Sequence, residues 1–419
     1  MRPFFSRIRR IVREEIDLAY QRNALSMVDN HTDHNAYDNK INYPTAPGSA
    51  ETLFIKPLEK NTVKLHLVHI GVHENGNAGD TLLFPVIRAL FQKYLCQIEF
   101  TLLNLRAAVT QTTIDIINEH DGVVIGGGGL FLKDTNANQI SGWQWACSEE
   151  LLSRIKVPIV VFAVGYNRFR GQEDFDSVFS QNLNILVDKS AFFSLRNKGS
   201  IENIKNYLHP SLHDKLFFQP CPTTVLSRFY PYEKPAAGNK KVLAINIPFD
   251  RSKLRYENKE SSVLGSIAES IREIEAKDWK VILLHHFDMD AESAVWLNKC
   301  GATPEQINLG GVHPDKIIEF YNSTGAVIGG RGHAQMIPFG LNIPIFSLIS
   351  HNKMKYFLDD INHSDWGEEV LSPSLKNKLV GFADSARTES IKKELEEAQN
   401  ILWRTTMANM EKLALVFNV

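Results

Sequence analysis

The sequence predicts an α/β protein of two Rossmann-like, doubly wound domains that face each other across a cleft, with an N-terminal helical arm and a long C-terminal helix. Short apolar runs alternate with amphipathic stretches, which is the pattern of parallel strands joined by helices. The alternation stops in residues 228–240, where two prolines and a glycine stand among charges, and then restarts. Residues 121–131 also resemble residues 324–334, as two similar domains would, although unrelated Rossmann-like strands can share this pattern too.

The composition is that of an ordinary soluble globular protein, with 43% hydrophobic and 22% charged residues. Lys and Arg total 46 against 48 Asp and Glu, so the net charge of −2 predicts no nucleic-acid partner. The four cysteines form no CxxC pair, which argues against a zinc cage or a disulfide framework and favours the cytoplasm. No apolar run reaches the about eighteen residues of a membrane span, and the amino terminus lacks the apolar core of a secretory signal.

Residues 1–60 are predicted to precede the first domain. Residues 1–25 have the pattern of an amphipathic helix with early arginines, and residues 26–60 that of a polar arm. Such a helix suits the surface of an anionic membrane, which predicts peripheral contact at the inner membrane face. A helix docked on its own domain or on a partner subunit explains the same pattern, and both alternatives stay open.

Residues 61–230 are predicted to form the first domain and residues 231–380 the second. In the first we expect strands at 63–70, 98–103, 122–125, 158–164 and 191–195, and helices at 81–95, 110–119, 174–187 and 199–208. In the second we expect strands at 242–247, 280–285, 326–328 and 343–348, and helices at 261–276, 291–297 and 314–321.

Residues 381–419 are predicted to form a helical tail that packs back across the first domain. The helical stretch covers 385–417. Its expected apolar contacts are Leu395, Ile401, Leu402, Met407, Met410, Leu413 and Leu415.

The segment 325–350 carries the strongest chemical signal. After strand 326–328 comes a glycine turn, and Arg331 and His333 then open a short helix. A helix start offers free N–H groups and positive dipole to an anion, and an arginine fork matches carboxylate or phosphate. A histidine beside them can carry a proton near neutral pH. Arg331 and His333 are therefore candidate catalytic residues, the alternative being a surface turn with solvated side chains.

Two other glycine-rich segments also follow strands. In residues 71–80 we expect Asn77, Gly79 and Asp80 to contact a ligand at a helix start, the alternative being that Asp80 only caps the helix. The tetraglycine 126–129 reads as a turn in which a ligand or a neighbouring loop approaches Gly127 and Gly128 closely. It has neither the layout of a dinucleotide site nor the GK[ST] of a P-loop.

Arg196 ends another strand and is a candidate second anion clamp, whereas a lone arginine there is usually a surface ion-pair partner. His286, Asp288 and Asp290 would share one face if the chain stayed extended beyond strand 280–285. A metal site is one interpretation, but we favour hydrogen bonding of a substrate by His286 or Asp290 and predict no metal. Asp290 as a helix cap is the structural alternative.

Taken together, the motifs resemble those of the polysaccharide pyruvyl transferase family. The matching segments are NAGD at 77–80, the glycine-rich strand at 123–130, FAVGYN at 162–167, SLR at 194–196 and the R-x-H at 331–333 with the strand after it. They span residues 65–360 in the expected order. Gly332 stands where the family often has leucine, and Cys221 where it often has aspartate.

The resemblance implies a two-domain architecture like that of GT-B glycosyltransferases and the transfer of pyruvate from phosphoenolpyruvate to a sugar as a ketal, without a cofactor. It implies a glycan or lipid-linked oligosaccharide as acceptor. The residues suit this chemistry, with arginines for the anionic donor, His333 as general acid and Asp80 as acceptor contact or base. A nucleotide-sugar glycosyltransferase of the same shape and a non-catalytic glycan-binding protein remain the alternatives.

Overall fold

The computed structural model describes residues 63–72, 76–230 and 241–419. The first domain is built on a parallel sheet of six strands in the order β2-β1-β3-β4-β5-β6. The strands are β1 (Lys64–Gly71), β2 (Gln97–Asn104), β3 (Gly122–Phe131), β4 (Ile159–Tyr166), β5 (Ser190–Leu195) and β6 (Leu216–Phe218). The α-helices between and after them are α1 (Ala78–Tyr94), α2 (Gln111–Asn118), α3 (Glu149–Ser153), α4 (Ser177–Lys189) and α5 (Lys198–Lys205). Two 3-10 helices follow, Pro210–Lys215 and Pro222–Arg228.

The second domain repeats this plan with six parallel strands in the order β12-β11-β10-β7-β8-β9. The strands are β7 (Val242–Asn246), β8 (Lys280–His285), β9 (Glu305–Asn308), β10 (Ala326–Gly329), β11 (Ile345–Ile349) and β12 (Gly367–Glu369). Its helices are α6 (Ser252–Tyr256), α7 (Glu260–Ala276), α8 (Glu292–Lys299), α9 (Pro314–Asn322), α10 (Gly332–Gly340), α11 (Asn352–Asp360) and α12 (Leu375–Ser385). A 3-10 helix covers Asp288–Ala291, and the chain ends in α13 (Glu389–Phe417).

The central strands are apolar throughout because helices and neighbouring strands cover them. β4 reads IVVFAVGY and is buried at all of its 8 positions. Such continuous β-branched and aromatic runs are typical of parallel strands enclosed on two faces. The predicted fold, two Rossmann-like domains facing a cleft in a GT-B-like arrangement with a long C-terminal helix, is confirmed.

The register of each sheet aligns the carboxyl ends of its neighbouring strands. In the first sheet Gly128 of β3 and Leu195 of β5 both pair with Val164 of β4. In the second sheet Gly329 of β10 pairs with Asn246 of β7. The residues that follow these positions therefore leave each sheet at one edge, beyond the carboxyl ends of the strands, where open α/β sheets bind ligands.

The tetraglycine is part of a strand, so its interpretation as a turn before a helix is wrong. β3 continues through the glycines to Phe131, and the next helix is α3. A Cβ on Gly127 would lie 3.2 Å from Ile87 Cδ1 and 3.3 Å from Leu83 Cδ2, so the glycine lets α1 pack directly on the strand. The similarity of 121–131 to 324–334 therefore holds for the strands but not for a shared helix start.

The short edge strands β6, β9 and β12 were not predicted. They contain three, four and three residues. A segment of this length shows too little alternation for a sequence pattern to separate it from a loop.

The C-terminal helix packs on the first domain, as predicted. Asn409 Nδ2 donates to the Phe218 carbonyl oxygen at 2.8 Å, and Arg228 Nη2 donates to Asn400 Oδ1 at 2.7 Å. Of the expected apolar contacts, Leu395, Leu402, Met410 and Leu413 are buried, whereas Ile401 and Leu415 are 44% and 79% exposed. The prediction was wrong for these two because they lie on the outer face of the helix.

We expect Leu413→Ala to lower the free energy of unfolding by about 2–5 kcal/mol, because it leaves a cavity under α13. Leu413 is 0% exposed, and Leu415, half a turn further along the same helix, is 79% exposed. Leu415→Ala is thus the matched control and should change stability by no more than about 0.5 kcal/mol. Urea unfolding of both variants measures the difference, and equal effects would contradict the packing of α13.

The predicted arm at 1–60 and most of the predicted linker at 228–240 lie outside the described residues, and the predicted domain boundaries stay predictions. In the described part of the chain no helix is both long and apolar enough to span a membrane. Within the same residues no group of three or more His, Cys, Asp or Glu side chains is placed to hold a metal ion.

Candidate active site

The cleft is lined by residues that directly follow strands of both sheets. The two domains touch here, since the Ala78 N–H at the start of α1 donates to the His286 carbonyl oxygen at 2.9 Å. The ring of His333 packs on Gly79, where any side chain would collide with it. His333 Nε2 also lies 3.6 Å from Cys221 Sγ. The predicted residues of 77–80 and 331–333 therefore belong to one site.

Arg331 precedes α10 and is held from behind by two carboxylates. Its Nε donates to Asp290 Oδ2 at 2.8 Å, and its Nη2 lies 2.7 Å from Asp250 Oδ1. Burial alone would lower the pKa of Arg331, but Asp290 and Asp250 raise it above its usual value. Its charge is thus compensated, and Nη1 is the nitrogen without a hydrogen bond to another described residue.

Arg196 follows β5 and is buried without compensation. Its side chain lies against Gly165, and Nε has no hydrogen-bond partner among the described residues. Burial lowers the pKa of Arg196, although Cys221 and Asp80 act in the opposite direction. A buried cation without a paired anion costs free energy, so this position suits a bound anion.

Lys353 lies in the first turn of α11 and is the second uncompensated cation. Its ammonium group makes no hydrogen bond or ion pair with the rest of the described chain. Burial, followed by the charges of Arg255 and Arg196, lowers the pKa of Lys353 well below its usual value. Sequence reasoning missed this residue. The available signal was a lysine at a helix N-terminus after a buried strand, where the helix dipole disfavours a cation.

Phe169 of the first domain inserts among the cations of the second. Its ring lies 4.9 Å from Arg255 Cζ and 5.8 Å from Lys353 Nζ. Arg251 Cζ lies 5.0 Å from the same ring, and Arg251 also forms an ion pair with Asp134 of the first domain at 2.8 Å. Cation–π attraction and this ion pair hold the domains together beside the cleft.

The surroundings of His333 disfavour the protonated form of its ring. Burial, then the positive charge of Arg196 and the proximity of His286 and Lys353, hold its pKa well below the usual value. These surroundings oppose the expectation of a histidine that titrates near neutral pH. An anion bound between Arg196 and Lys353 would reverse the local charge and favour the imidazolium.

Asp80 lies in the first turn of α1 and is not its cap, so the alternative of a purely capping role is wrong. Asn77 caps the helix, and its Oδ1 accepts the Gly79 N–H at 2.9 Å. Asp80 Oδ1 lies 3.8 Å from the position of a Cβ on Gly128. Burial raises the pKa of Asp80, while Arg106 and Arg196 act to lower it. A carboxyl group poised in this way suits general acid or base chemistry.

His286 and Asp290 lie behind the site, in contrast to the substrate contacts expected of them. The chain turns into the 3-10 helix Asp288–Ala291, so His286, Asp288 and Asp290 do not share one face. His286 Nε2 lies within hydrogen-bond distance of the Tyr321 hydroxyl, and burial lowers the pKa of His286 to about 3. Both side chains are 0% exposed, and Asp290 supports Arg331.

Several solved structures are similar to this chain at low sequence identity. S. aureus MnaA with UDP is 13% identical, covers 80% of this chain and 92% of that chain, and has a TM-score of 0.48. UDP-GlcNAc 2-epimerase from Methanocaldococcus jannaschii is 14% identical, covers 78% and 94%, and has a TM-score of 0.47. An alpha-glucosyltransferase in complex with UDP is 9% identical, covers 84% and 99%, and has a TM-score of 0.45.

A search of curated protein sequences gives no match. The sequence profile of the family described as polysaccharide pyruvyl transferase matches residues 77–352, well over half of the chain. The match begins at the cap of α1 and ends at the first residue of α11, and it contains Asp80, Arg196, Arg331 and His333. The chain therefore belongs to the polysaccharide pyruvyl transferase family.

Proposed function

We propose that this protein transfers pyruvate from phosphoenolpyruvate to a sugar of a cell-surface glycan, or of its lipid-linked precursor, in the cytoplasm and without a cofactor. The observation that carries the proposal is the pair of uncompensated cations, Arg196 and Lys353, which approach one cleft from opposite domains. Phosphoenolpyruvate carries a phosphate and a carboxylate on a small three-carbon body. Arg196, Lys353, the free edge of Arg331 and the start of α10 supply donors for both anionic groups.

The proposed chemistry needs a proton for the enol carbon and a base for each attacking hydroxyl. A protonated His333 gives its proton to the methylene carbon of the donor while one sugar hydroxyl attacks the neighbouring carbon and loses its proton to a base. Phosphate then leaves with the bridging oxygen, and a second hydroxyl closes the ketal while its proton passes to a base such as the departing phosphate. Asp80, with its raised pKa and its position beside β3, suits the base at the acceptor side. Buried cations stabilise the departing phosphate.

We expect Lys353→Met to weaken binding of phosphoenolpyruvate roughly 10- to 100-fold, the value of one charge-assisted hydrogen bond. Lys355→Met is the matched control, because Lys355 is exposed on the same helix two residues further on. Isothermal titration calorimetry of both variants with phosphoenolpyruvate and with a panel of nucleotide sugars measures the effect. Heat from a nucleotide sugar alone would support the glycosyltransferase alternative, and no loss in Lys353→Met would contradict the donor site.

Binding of phosphoenolpyruvate is expected to take up protons. The pKa of His333 is lowered because burial and neighbouring cations disfavour its charged form. A bound anion raises this pKa, so a proton enters at any pH between the free and bound values. Donor affinity should therefore fall as the pH rises through the bound-state pKa of His333. Calorimetry in buffers of different ionisation enthalpy tests this, and heats independent of the buffer would contradict it.

A further inference from the structure

Cys221 lies in the floor of the cleft and contacts the ring of His333. It precedes the 3-10 helix Pro222–Arg228 and is 2% exposed. Its Sγ lies 3.6 Å from His333 Nε2 and 3.2 Å from the Thr223 hydroxyl. The proposed reaction uses His333 but assigns nothing to this thiol.

The surroundings of the sulfur decide which atom carries the hydrogen between Cys221 and His333. The Thr223 hydroxyl lies 3.2 Å from the sulfur, in a contact where either atom can be the donor, and Thr223 is 0% exposed. Burial raises the pKa of Cys221, so the group stays a thiol. A nitrogen of a neutral imidazole is a better acceptor than a thiol sulfur, so the arrangement in which the S–H donates to Nε2 is favoured over the reverse.

We propose that Cys221 is a positioning residue that holds His333 in the tautomer with its hydrogen on Nδ1. Nε2 accepts the thiol hydrogen, and Nδ1 is the nitrogen that lies against Gly79 at the start of α1. The transferable proton therefore sits on the side of the ring next to the helix turn that carries Asp80. A thiol fixes the tautomer without adding a negative charge beside the ring.

The charge of the group at position 221 matters because the other groups that face His333 disfavour its protonation. Arg196 after β5, His286 after β8 and Lys353 on α11 all disfavour the imidazolium. With a thiol at position 221, the histidine gains its second proton only when an anion enters the cleft. The catalytic consequence rests on the proposed function, whereas the tautomer itself does not.

Heteronuclear NMR of isotope-labelled histidine tests the tautomer in the full chain without any substrate. His333→Gln identifies the resonances of His333 by their loss. We expect the wild type and Cys221→Ser, which keeps a donor, to show hydrogen on Nδ1 and a bare Nε2. Cys221→Ala should show a mixture or hydrogen on Nε2. Hydrogen on Nε2 in the wild type, or an unchanged tautomer in Cys221→Ala, would overturn the proposal.

Cys221→Asp supplies a second readout. A carboxylate next to Nε2 should give His333 a higher pKa in the same NMR titration and move the hydrogen to Nε2. A His333 that titrates as in the wild type would show that position 221 does not act on the ring. If Cys221→Asp does not fold, as judged by near-ultraviolet circular dichroism, the serine and alanine variants decide. Absence of phosphoenolpyruvate binding would contradict the proposed function but would not affect the tautomer of His333 measured by NMR.

Discussion

Arg196→Met is expected to abolish donor binding while leaving the fold more stable. The guanidinium is buried and its Nε has no hydrogen-bond partner in the part of the chain that the structure describes, so its removal relieves a charge without an ion-pair partner there. We expect the free energy of unfolding to rise by about 0.5–2 kcal/mol, as when a strained functional residue is replaced. Loss of two charge-assisted hydrogen bonds should weaken phosphoenolpyruvate binding roughly 100- to 10,000-fold.

The matched control for this prediction is Arg168→Met. Arg168 belongs to the same domain, is 31% exposed and pairs with Asp174 at 3.2 Å. Urea unfolding and calorimetry with phosphoenolpyruvate should show little change for it. A destabilised Arg196→Met protein that still binds the donor would show that Arg196 serves the fold and not the ligand.

In contrast to Arg196→Met, Asp290→Ala should lower the free energy of unfolding strongly. Asp290 accepts hydrogen bonds from the Arg331 guanidinium, from Asn246 Nδ2 and from the backbone N–H groups of Phe249 and His286. Its removal leaves a buried charge with one carboxylate in place of two, and we expect a cost of about 3–5 kcal/mol. Donor binding should weaken as well, because Arg331 loses its orientation.

Asp288→Ala is the neighbouring control. Asp288 is exposed and accepts one hydrogen bond, from Asn308 Nδ2 at 2.8 Å. Chemical denaturation should separate the two variants clearly. The double variant Asp290→Ala with Arg331→Met also removes the guanidinium that Asp290→Ala leaves with one carboxylate partner. It should therefore regain part of the lost free energy of unfolding. Equal stability of the two single variants would contradict the supporting role of Asp290.

Much of the site could be predicted because chemistry in parallel sheets collects at the carboxyl ends of strands. Arg196, Arg331 and His333 each follow a recognisable apolar run within a few residues, and Asp80 lies in the first turn of the helix after β1. Their proximity therefore follows from the fold class alone, and the structure brings all four to one cleft.

The distribution of charge within the cleft could not be predicted, because it depends on pairs far apart in the sequence. Arg331 looked like the principal anion clamp, but Asp250 and Asp290 already compensate its charge. Within the described residues neither Arg196 nor Lys353 forms an ion pair, and the signal for Lys353 was its place at a helix N-terminus and not a motif. Sequence spacing gives the type of each side chain but not which carboxylate reaches it.

The glycine-rich strand β3 is a second feature that depends on contacts between residues far apart in the sequence. Four consecutive glycines usually mark a turn, but in β3 Gly127 lets α1 approach the sheet closely. The side chains of Leu83 and Ile87, more than 35 residues earlier in the chain, show why this position of the strand needs a glycine.

The most direct test of pyruvyl transfer follows the fate of the donor carbon. Phosphoenolpyruvate isotope-labelled at the carbon that bears the phosphate oxygen is incubated with the protein and a pool of cell-surface glycan precursors, and the products are followed by NMR. We predict that the label appears as a quaternary ketal carbon on a sugar, with one phosphate released per ketal, and that Arg196→Met abolishes both. Label recovered only in phosphoenolpyruvate or free pyruvate, while a nucleotide sugar is consumed by the same protein, would contradict the account.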